Sequence, residues 1–378
     1  MTFGRVTMKN IHVYILFVLL AGLSLPVVAE EIVAIKADRV ETVTSGSIEN
    51  GVIVIRNGKI SAIGSDVEIP DTANIIAVRD KTVFPGLVNP SSRIGLSSSP
   101  GSQPASHPHY RVADELYPFQ DAYERILQAG FTTLGLIPGG GGIAGQGAVV
   151  RPVGRTAKDM LIAESGLLAI DFQANDKAKR VIRDALESAK NKTSSTDPRI
   201  KPLVRALQGE IPTFVQCRQP GEVLHLLKLL KPYGKMKLVL IPGYETFRIV
   251  KELDEKKIPV IFPAQIDFER FTRNRINVSK ILADAGVKIA CRPKADSVRG
   301  HEDFLRQMAE LVKLGLDKEV AQKSVTIYPA EMLGVDYRLG SLEVGKDANL
   351  LILSGDPLDV RTRIEQVMVE GKIVYQAP

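Results

Sequence analysis

A chain of 378 residues, 44% of them hydrophobic, is too long for one small core and suits one large unit with a smaller one beside it. Tryptophan is absent and aromatics make up only 6%, which argues against an aromatic-rich carbohydrate or nucleic-acid platform. The net charge is +6, and subtracting Arg5 and Lys9 of the leader leaves +4. These cations are interleaved with acids, so no nucleic-acid footprint is expected.

Residues 1–29 read as an export signal. Arg5 and Lys9 form a positive start, Val13 to Leu20 is apolar apart from Tyr14, and Val27-Val28-Ala29 offers small residues before a cut ahead of Glu30. The competing reading is an uncleaved anchor, since Ile11 to Ala29 nearly reaches spanning length. Pro26 and the fitting cleavage site favour removal. No cysteine follows the apolar run to carry a lipid. The mature chain is therefore expected to be periplasmic or secreted, with no stable membrane anchor after signal cleavage.

Residues 30–85 alternate and turn often. Gly51 to Ile63 contains Asn57-Gly58, the dipeptide of a type I′ hairpin turn. Residues 339–378 have the same character, with a strand at Ala348–Leu353 and a hairpin at Val367–Val374. The two β-rich ends are expected to build one small composite β-sandwich. Between them, residues 86–338 alternate short apolar strands with amphipathic helices, the pattern of parallel sheet with crossover helices. A helix is expected over Pro118–Ala129, with Phe119, Tyr123, Ile126 and Leu127 on one face and Gly130 as its stop. Phe131–Ile137 follows as a strand and Lys177–Lys190 as a helix, before a polar loop at Asn191–Pro198. Further strands are expected at Thr213–Cys217, Lys237–Ile241, Pro259–Phe262 and Val287–Cys291. This repeat fits a (β/α)8 TIM-like barrel better than an open doubly wound sheet, which the pattern alone leaves open. Ser97–Tyr110 reads as a flexible loop after the first barrel strand.

Few residues carry obvious chemistry. Pro138 to Gly142 with Gly145 and Gly147 lacks the ending of a phosphate loop and reads as a tight strand-to-loop crossing. His107 and His109 could share one side of an extended segment, yet they sit in a Ser/Pro-rich loop without other ligands at suitable spacing. His225 lies in an apolar helix, Val223–Leu230. His301 stands at a helix start beside Glu302 and Asp303. Cys217 and Cys291 are too few for a disulfide framework and fall on strands expected not to be adjacent, so a bridge is disfavoured.

Several segments together resemble one family. Pro85-Gly86-Leu87-Val88-Asn89-Pro90-Ser91-Ser92-Arg93 resembles the Pro-Gly-Leu-Ile-Asp-x-His-x-His signature that opens the barrel of amidohydrolases. Gly130–Thr133, Pro138–Val150, Thr326–Gly334 and Gly340–Ala348 add to the likeness, which is to the imidazolonepropionase-like group and covers most of 31–376. The resemblance implies a metal-bearing barrel with a composite β-sandwich. In such enzymes histidines on strands one, five and six hold a metal that lowers the pKa of a bound water to about 7. An aspartate on strand eight moves its proton. Carried over to this chain, the first-strand histidines fall on Ser91 and Arg93, the strand-five histidine on Gln216 and the strand-six histidine on Pro242. The catalytic aspartate falls on Lys294, or on Asp296 after a two-residue slip. Four histidine positions without a histidine argue against the usual metal site.

Two functions follow as expectations. In the first, an exported amidohydrolase-like pseudoenzyme binds a small acidic ligand, using Ser91, Arg93, Gln216, Arg218, Arg292 and Lys294 at the barrel mouth, with no metal. The bland alternative for these cations is salt bridging to acids such as Asp296. In the second, a hydrolase of C–N or C–O bonds with a rebuilt site recruits His107, His109, Asp296 or His301 to zinc, or uses Cys217 as nucleophile. A homo-oligomer is left open, and a structural or partner-binding role leaves no trace in the sequence.

Overall fold

The computed structural model describes residues 31–96, 101, 103–192 and 194–378. The export signal, its cleavage site and part of the Ser97–Tyr110 loop lie outside the described residues. Among those described, no helix is long and apolar enough to cross a membrane.

Four strands open the chain: β1 (Ile32–Glu41), β2 (Ser47–Arg56), β3 (Lys59–Gly64) and β4 (Asn74–Pro85). The β2–β3 hairpin closes at Arg56 opposite Lys59, and Asn57 and Gly58 take φ of 51° and 79°. Positive φ at both central residues is the type I′ geometry that Asn-Gly favours. β1 runs antiparallel to β2 but parallel to β4.

The barrel strands follow, beginning with β5 (Leu87–Ser92), the two-residue β6 (Ala105–Ser106), β7 (Phe131–Leu136), β8 (Gly142–Val150) and β9 (Leu161–Asp171). After these come β10 (Pro212–Cys217), β11 (Lys237–Pro242) and β12 (Val260–Pro263). A small hairpin of β13 (Asp267–Phe268) and β14 (Arg275–Ile276) precedes β15 (Ile289–Arg292). The main order is β5-β7-β8-β9-β10-β11-β12-β15. Its ends approach without a ladder, and the Val88 amide of β5 donates instead to the carbonyl of Val325, the residue after the helix Lys318–Ser324, at 2.9 Å.

The result is a nearly closed, eight-stranded TIM-like barrel, with one departure from the expected all-parallel pattern. β8 runs antiparallel to both β7 and β9. Only five residues separate β7 from β8, whereas a parallel return needs a crossover of about a dozen or more. Gly140 and Gly142, at φ of 144° and 76°, turn the chain within that span. Pro138–Gly142 of the expected crossing form this reversal, whereas Gly145 and Gly147, read with them, lie within β8.

The chain ends in β16 (Leu350–Leu353), β17 (Ile364–Val369) and β18 (Lys372–Gln376). β16 pairs antiparallel with β4, so both β-rich ends join one seven-stranded sheet ordered β18-β17-β16-β4-β1-β2-β3. Alternation along these strands serves two cores. Ile35, Ile53, Val83, Leu350 and Ile352 fill the sheet's own cluster. Phe84, Leu351, Leu353 and Val367 face the other way, into the cluster shared with the barrel and its helices.

The same alternation sorts the barrel. Val88, Ala169, Phe214, Val239, Ile261 and Ala290 fill its interior, which Met332, Leu333 and Leu339 close at one end. Val215, Cys217, Leu240, Phe262 and Cys291 point outward, into the layer of helices such as Asp176–Lys190 and Phe304–Lys313. The helix expected from Pro118 begins only at Asp121, so Phe119 precedes it and is exposed rather than packed.

Candidate functional site

The carboxyl ends of the parallel strands surround a cavity of about 260 Å³. Inward parity supplies its floor: Ala169 from β9, Phe214 from β10 and Ile241 from β11. One step further along, the same parity brings Asp171, Gln216 and Arg292 to the rim. From β5 come Ser91, Ser92 and Arg93, where the pairing with β7 shifts register. Pro138, Gly139 and Gly140 form a wall. Gly139 leaves room for Arg93, since a Cβ there would lie 1.3 Å from the Arg93 Nη1.

Asp296 completes the ring. Its Oδ1 accepts from the Ser92 hydroxyl at 2.7 Å and its Oδ2 from the Arg93 amide at 2.7 Å. β15 ends at Arg292, the chain turns, and Ser297 caps the short helix Val298–Glu302 by accepting from the Gly300 amide. That cap draws Asp296 back over the mouth. Lys294, two residues earlier, is exposed and does not line the cavity, and its amide donates to Gln307 Oε1 at 3.1 Å. Of the two strand-eight alignments, the geometry places Asp296 at the mouth.

A second network braces the end of β5 from beneath. The Asn89 Nδ2 lies 2.8 Å from the Nε2 of buried His301, and its Oδ1 accepts from the Ser91 amide at 3.0 Å. The other ring nitrogen of His301 meets the Ser297 carbonyl at 2.8 Å. An acceptor there assigns the proton to Nδ1, so Nε2 accepts from Asn89. Burial lowers the His301 pKa, opposed by the Ser297 hydrogen bond and by Asp296. His301 also packs edge-on to Phe131 at 4.7 Å. It is a neutral bracing residue behind the cavity.

The cations at the mouth differ in how they are engaged. Arg218 donates twice to Asp171, at 2.9 Å each, and these bonds raise its pKa. The register pairing Gln216 with Asp171 across β10 and β9 makes this contact. Arg292 is half-buried; its Nη1 donates to the neighbouring Pro293 carbonyl at 3.2 Å, and its buried Nε has no hydrogen-bond partner among the described residues. Desolvation lowers its pKa, with Asp296 opposing.

The remaining sequence candidates lie elsewhere. Pro242 shares the outward parity of Leu240, and Ile241 is the β11 residue that meets the cavity. His107 and His109 stack edge-on at 6.2 Å; His109 borders a separate surface pocket with Asp184 and Arg199. His225 is exposed. Cys217 and Cys291 are both free thiols on the outward faces of β10 and β15, strands separated by β11 and β12. Burial pushes the Cys217 thiol pKa up and takes that of Cys291 to about 11, which suits neither to nucleophilic attack.

Asp171 was not read from the sequence, although Leu167-Leu168-Ala169-Ile170 followed by an acid is the pattern of a buried parallel strand ending at a mouth. The donor set does not fit a divalent metal. Among the described residues no group of three or more His, Cys, Asp or Glu side chains stands at metal-holding distance. Asp171 is held by Arg218, and the positions that resemble histidine ligands offer a hydroxyl, a guanidinium, an amide and an outward proline.

Residues 206–374 match the amidohydrolase family. The curated 5-methylthioadenosine/S-adenosylhomocysteine deaminase of Thermodesulfovibrio yellowstonii is 22% identical, the match spanning 81% of each chain. The crystal structure of an amidohydrolase from Thermotoga maritima is similar with a TM-score of 0.81 at 26% identity, covering 91% of this chain and 100% of that one. A prolidase complexed with N-methylphosphonate-L-proline gives a TM-score of 0.60 at 16% identity, over 92% and 100% of the two chains, a likeness of fold alone.

Proposed function

Because the chain belongs to the amidohydrolase superfamily, we propose its function from the barrel mouth: a small anionic ligand binds there, held without a metal ion. One observation carries this reading. Arg292 lines the cavity as a desolvated cation with an unpartnered Nε, and an anion is the group that would satisfy both its charge and its donor. Arg93 and Arg218 raise the cations around the mouth to three, against Asp171 and Asp296, one positive charge in excess. Ser91 and Gln216 add neutral hydrogen-bonding groups, and the apolar floor suits a compact organic body. Lys294 and Arg218 drop from the contact set, the first for its position and the second for its pairing with Asp171.

The test is a thermal-shift screen with small carboxylates and phosphates. A ligand that raises Tm in the parent protein, and loses that effect in Arg292→Met and Arg93→Ala, supports the reading. No stabilisation by any anion refutes it. Export remains part of the proposal, resting on Arg5, Lys9 and the apolar run after them. N-terminal sequencing of the mature protein, expected to begin at Glu30, checks it.

A second reading, hydrolysis of C–N bonds, is favoured by Asp296. Its carboxylate is held at the mouth by the Ser92 hydroxyl and the Arg93 amide, and the resemblance, read with a two-residue slip, would give it the proton-transfer role. Metal analysis of protein purified without chelator separates the two. Stoichiometric zinc, nickel or iron selects the hydrolase, and metal-free protein with an anion response selects the binder.

A further inference from the structure

The opposite end of the barrel holds a larger cavity, of about 1140 Å³, more than four times the size of the one at the mouth. It is bounded by the entering ends of the strands, at Pro212, Lys237, Pro259 and Lys288. Leu227 and Leu230 of the helix Pro220–Leu230 form its side, and Met332 and Gly334 of the barrel plug lie at its base. Its floor is apolar and incompletely covered: Leu227, Met236 and Leu238 are half-buried, and Leu224 at the edge is 43% exposed.

The rim has a different character. Six lysines line it, against three glutamates and one aspartate. Two of the six are engaged: Lys257 pairs with Asp254, and Lys288 pairs with Glu331 and lies 5.1 Å from the centre of the Tyr328 ring. Glu210 is turned toward Arg205. Lys228, Lys231, Lys237 and Lys256 are exposed and stand outside the ion pairs of the described residues, facing only Glu252 and Asp336 among the remaining lining acids. A volume just above the usual range of small-molecule sites, roughly 300–1,000 Å³, combined with an apolar floor and unpaired ammonium groups at the lip, selects one chemistry. We propose that this cleft binds an aliphatic carboxylate, with the chain along Leu227, Met236 and Leu238 and the head group between Lys231 and Lys237. The ammonium groups supply orientation and the buried methylenes supply affinity.

Decanoate, titrated calorimetrically below its micellar concentration, tests the proposal, with decanol and decyltrimethylammonium as matched controls. Saturable one-to-one binding of decanoate is expected, about tenfold weaker for decanol and absent for the cation. Lys231→Glu combined with Lys237→Glu should weaken decanoate at least about tenfold, and Leu227→Asp should do the same by placing an anion in the floor. Both lysines are exposed, so the double variant is expected to keep the parent's far-ultraviolet spectrum and Tm. Arg292→Met at the mouth should leave decanoate binding unchanged, which keeps this site separable from the other. Absence of saturable binding, equal binding of decanol, unchanged affinity in the double variant, or loss of binding in Arg292→Met would each overturn it.

Discussion

Replacing Arg292 with methionine separates what the mouth does for stability from what it does for a ligand. The Arg292 Nε is buried without a partner among the described residues, and desolvation lowers the group's pKa despite Asp296 nearby. A buried donor left unsatisfied costs about 1–3 kcal/mol. Methionine has similar reach, flexes to fill irregular space and brings no donor. Asp296 is not stranded by the change, because the Ser92 hydroxyl and the Arg93 amide still donate to it. Subtracting the lost attraction to Asp296, the ligand-free variant should gain about 1 kcal/mol, a rise in Tm of roughly 1–1.5 °C for a chain of this size. A ligand present at one hundred times its Kd stabilises the parent by about 2.7 kcal/mol. The two proteins should therefore exchange order: the variant melts higher in plain buffer, and the parent melts higher in saturating anion. Differential scanning fluorimetry with and without the anion reads both halves. A variant that melts below the parent without ligand, or an anion-induced shift that survives the substitution, refutes the reasoning.

Other consequences can be checked on the same preparation. The pKa of His301 is lowered from its ordinary 6.5 by burial. Its unfolded form therefore binds the proton more readily, and the stabilisation is fully present above pH 6.5 and lost as pH falls below it. Urea midpoints should drop between pH 7.5 and 5.0 in the parent, and by less in His301→Gln. Gly139→Ala would push against the far end of Arg93, a side chain that can move, so unfolding should change by about 1 kcal/mol or less while the anion-induced shift shrinks. Gly340→Ala meets backbone instead: φ is 89°, and a Cβ would lie 2.9 Å from both the Ile327 Cα and the Thr326 carbonyl oxygen. A loss of about 2–4 kcal/mol is expected in denaturant titrations.

The parts of the fold that the sequence makes legible are those with local causes. Asn57-Gly58 specifies its turn through φ alone, and Gly130 and Gly334 end their helices at positive φ of 87° and 71°. Strand positions near 213–217 and 237–241 follow from short apolar runs between turn signals. Strand direction has no local cause, and β8 shows the consequence. Gly142–Val150 reads, through Gly142, Gly145 and Gly147, as part of a loop crossing rather than a strand, and only its five-residue approach marks the reversal. The site suffers most from small offsets, because side-chain direction alternates with every residue. Counting by resemblance put strand six at Pro242, one residue past the inward Ile241. It put strand eight at Lys294 or, after a two-residue slip, at Asp296, and only the second lines the mouth, because the chain leaves the strand after Arg292 and regular counting no longer applies. The pairing of Arg218 with Asp171 depends on a register between residues 47 apart, which no local pattern encodes.

The arrangement of polar groups at the mouth decides which of its residues can select a ligand. Asp171 is taken by Arg218, Asp296 by the Ser92 hydroxyl and the Arg93 amide, and Asn89 by His301 and the Ser91 amide. Each of these contacts satisfies a donor and an acceptor within the protein, so a ligand gains little by competing for them and would leave one partner unpaired. Arg292 differs because its Nε is buried while no acceptor among the described residues meets it. A neutral guest would leave that cost in place, and a cationic guest would add repulsion. An anion reduces it, so Arg292 favours an anionic ligand, while Ser91 and Gln216 are left to hydrogen-bond it.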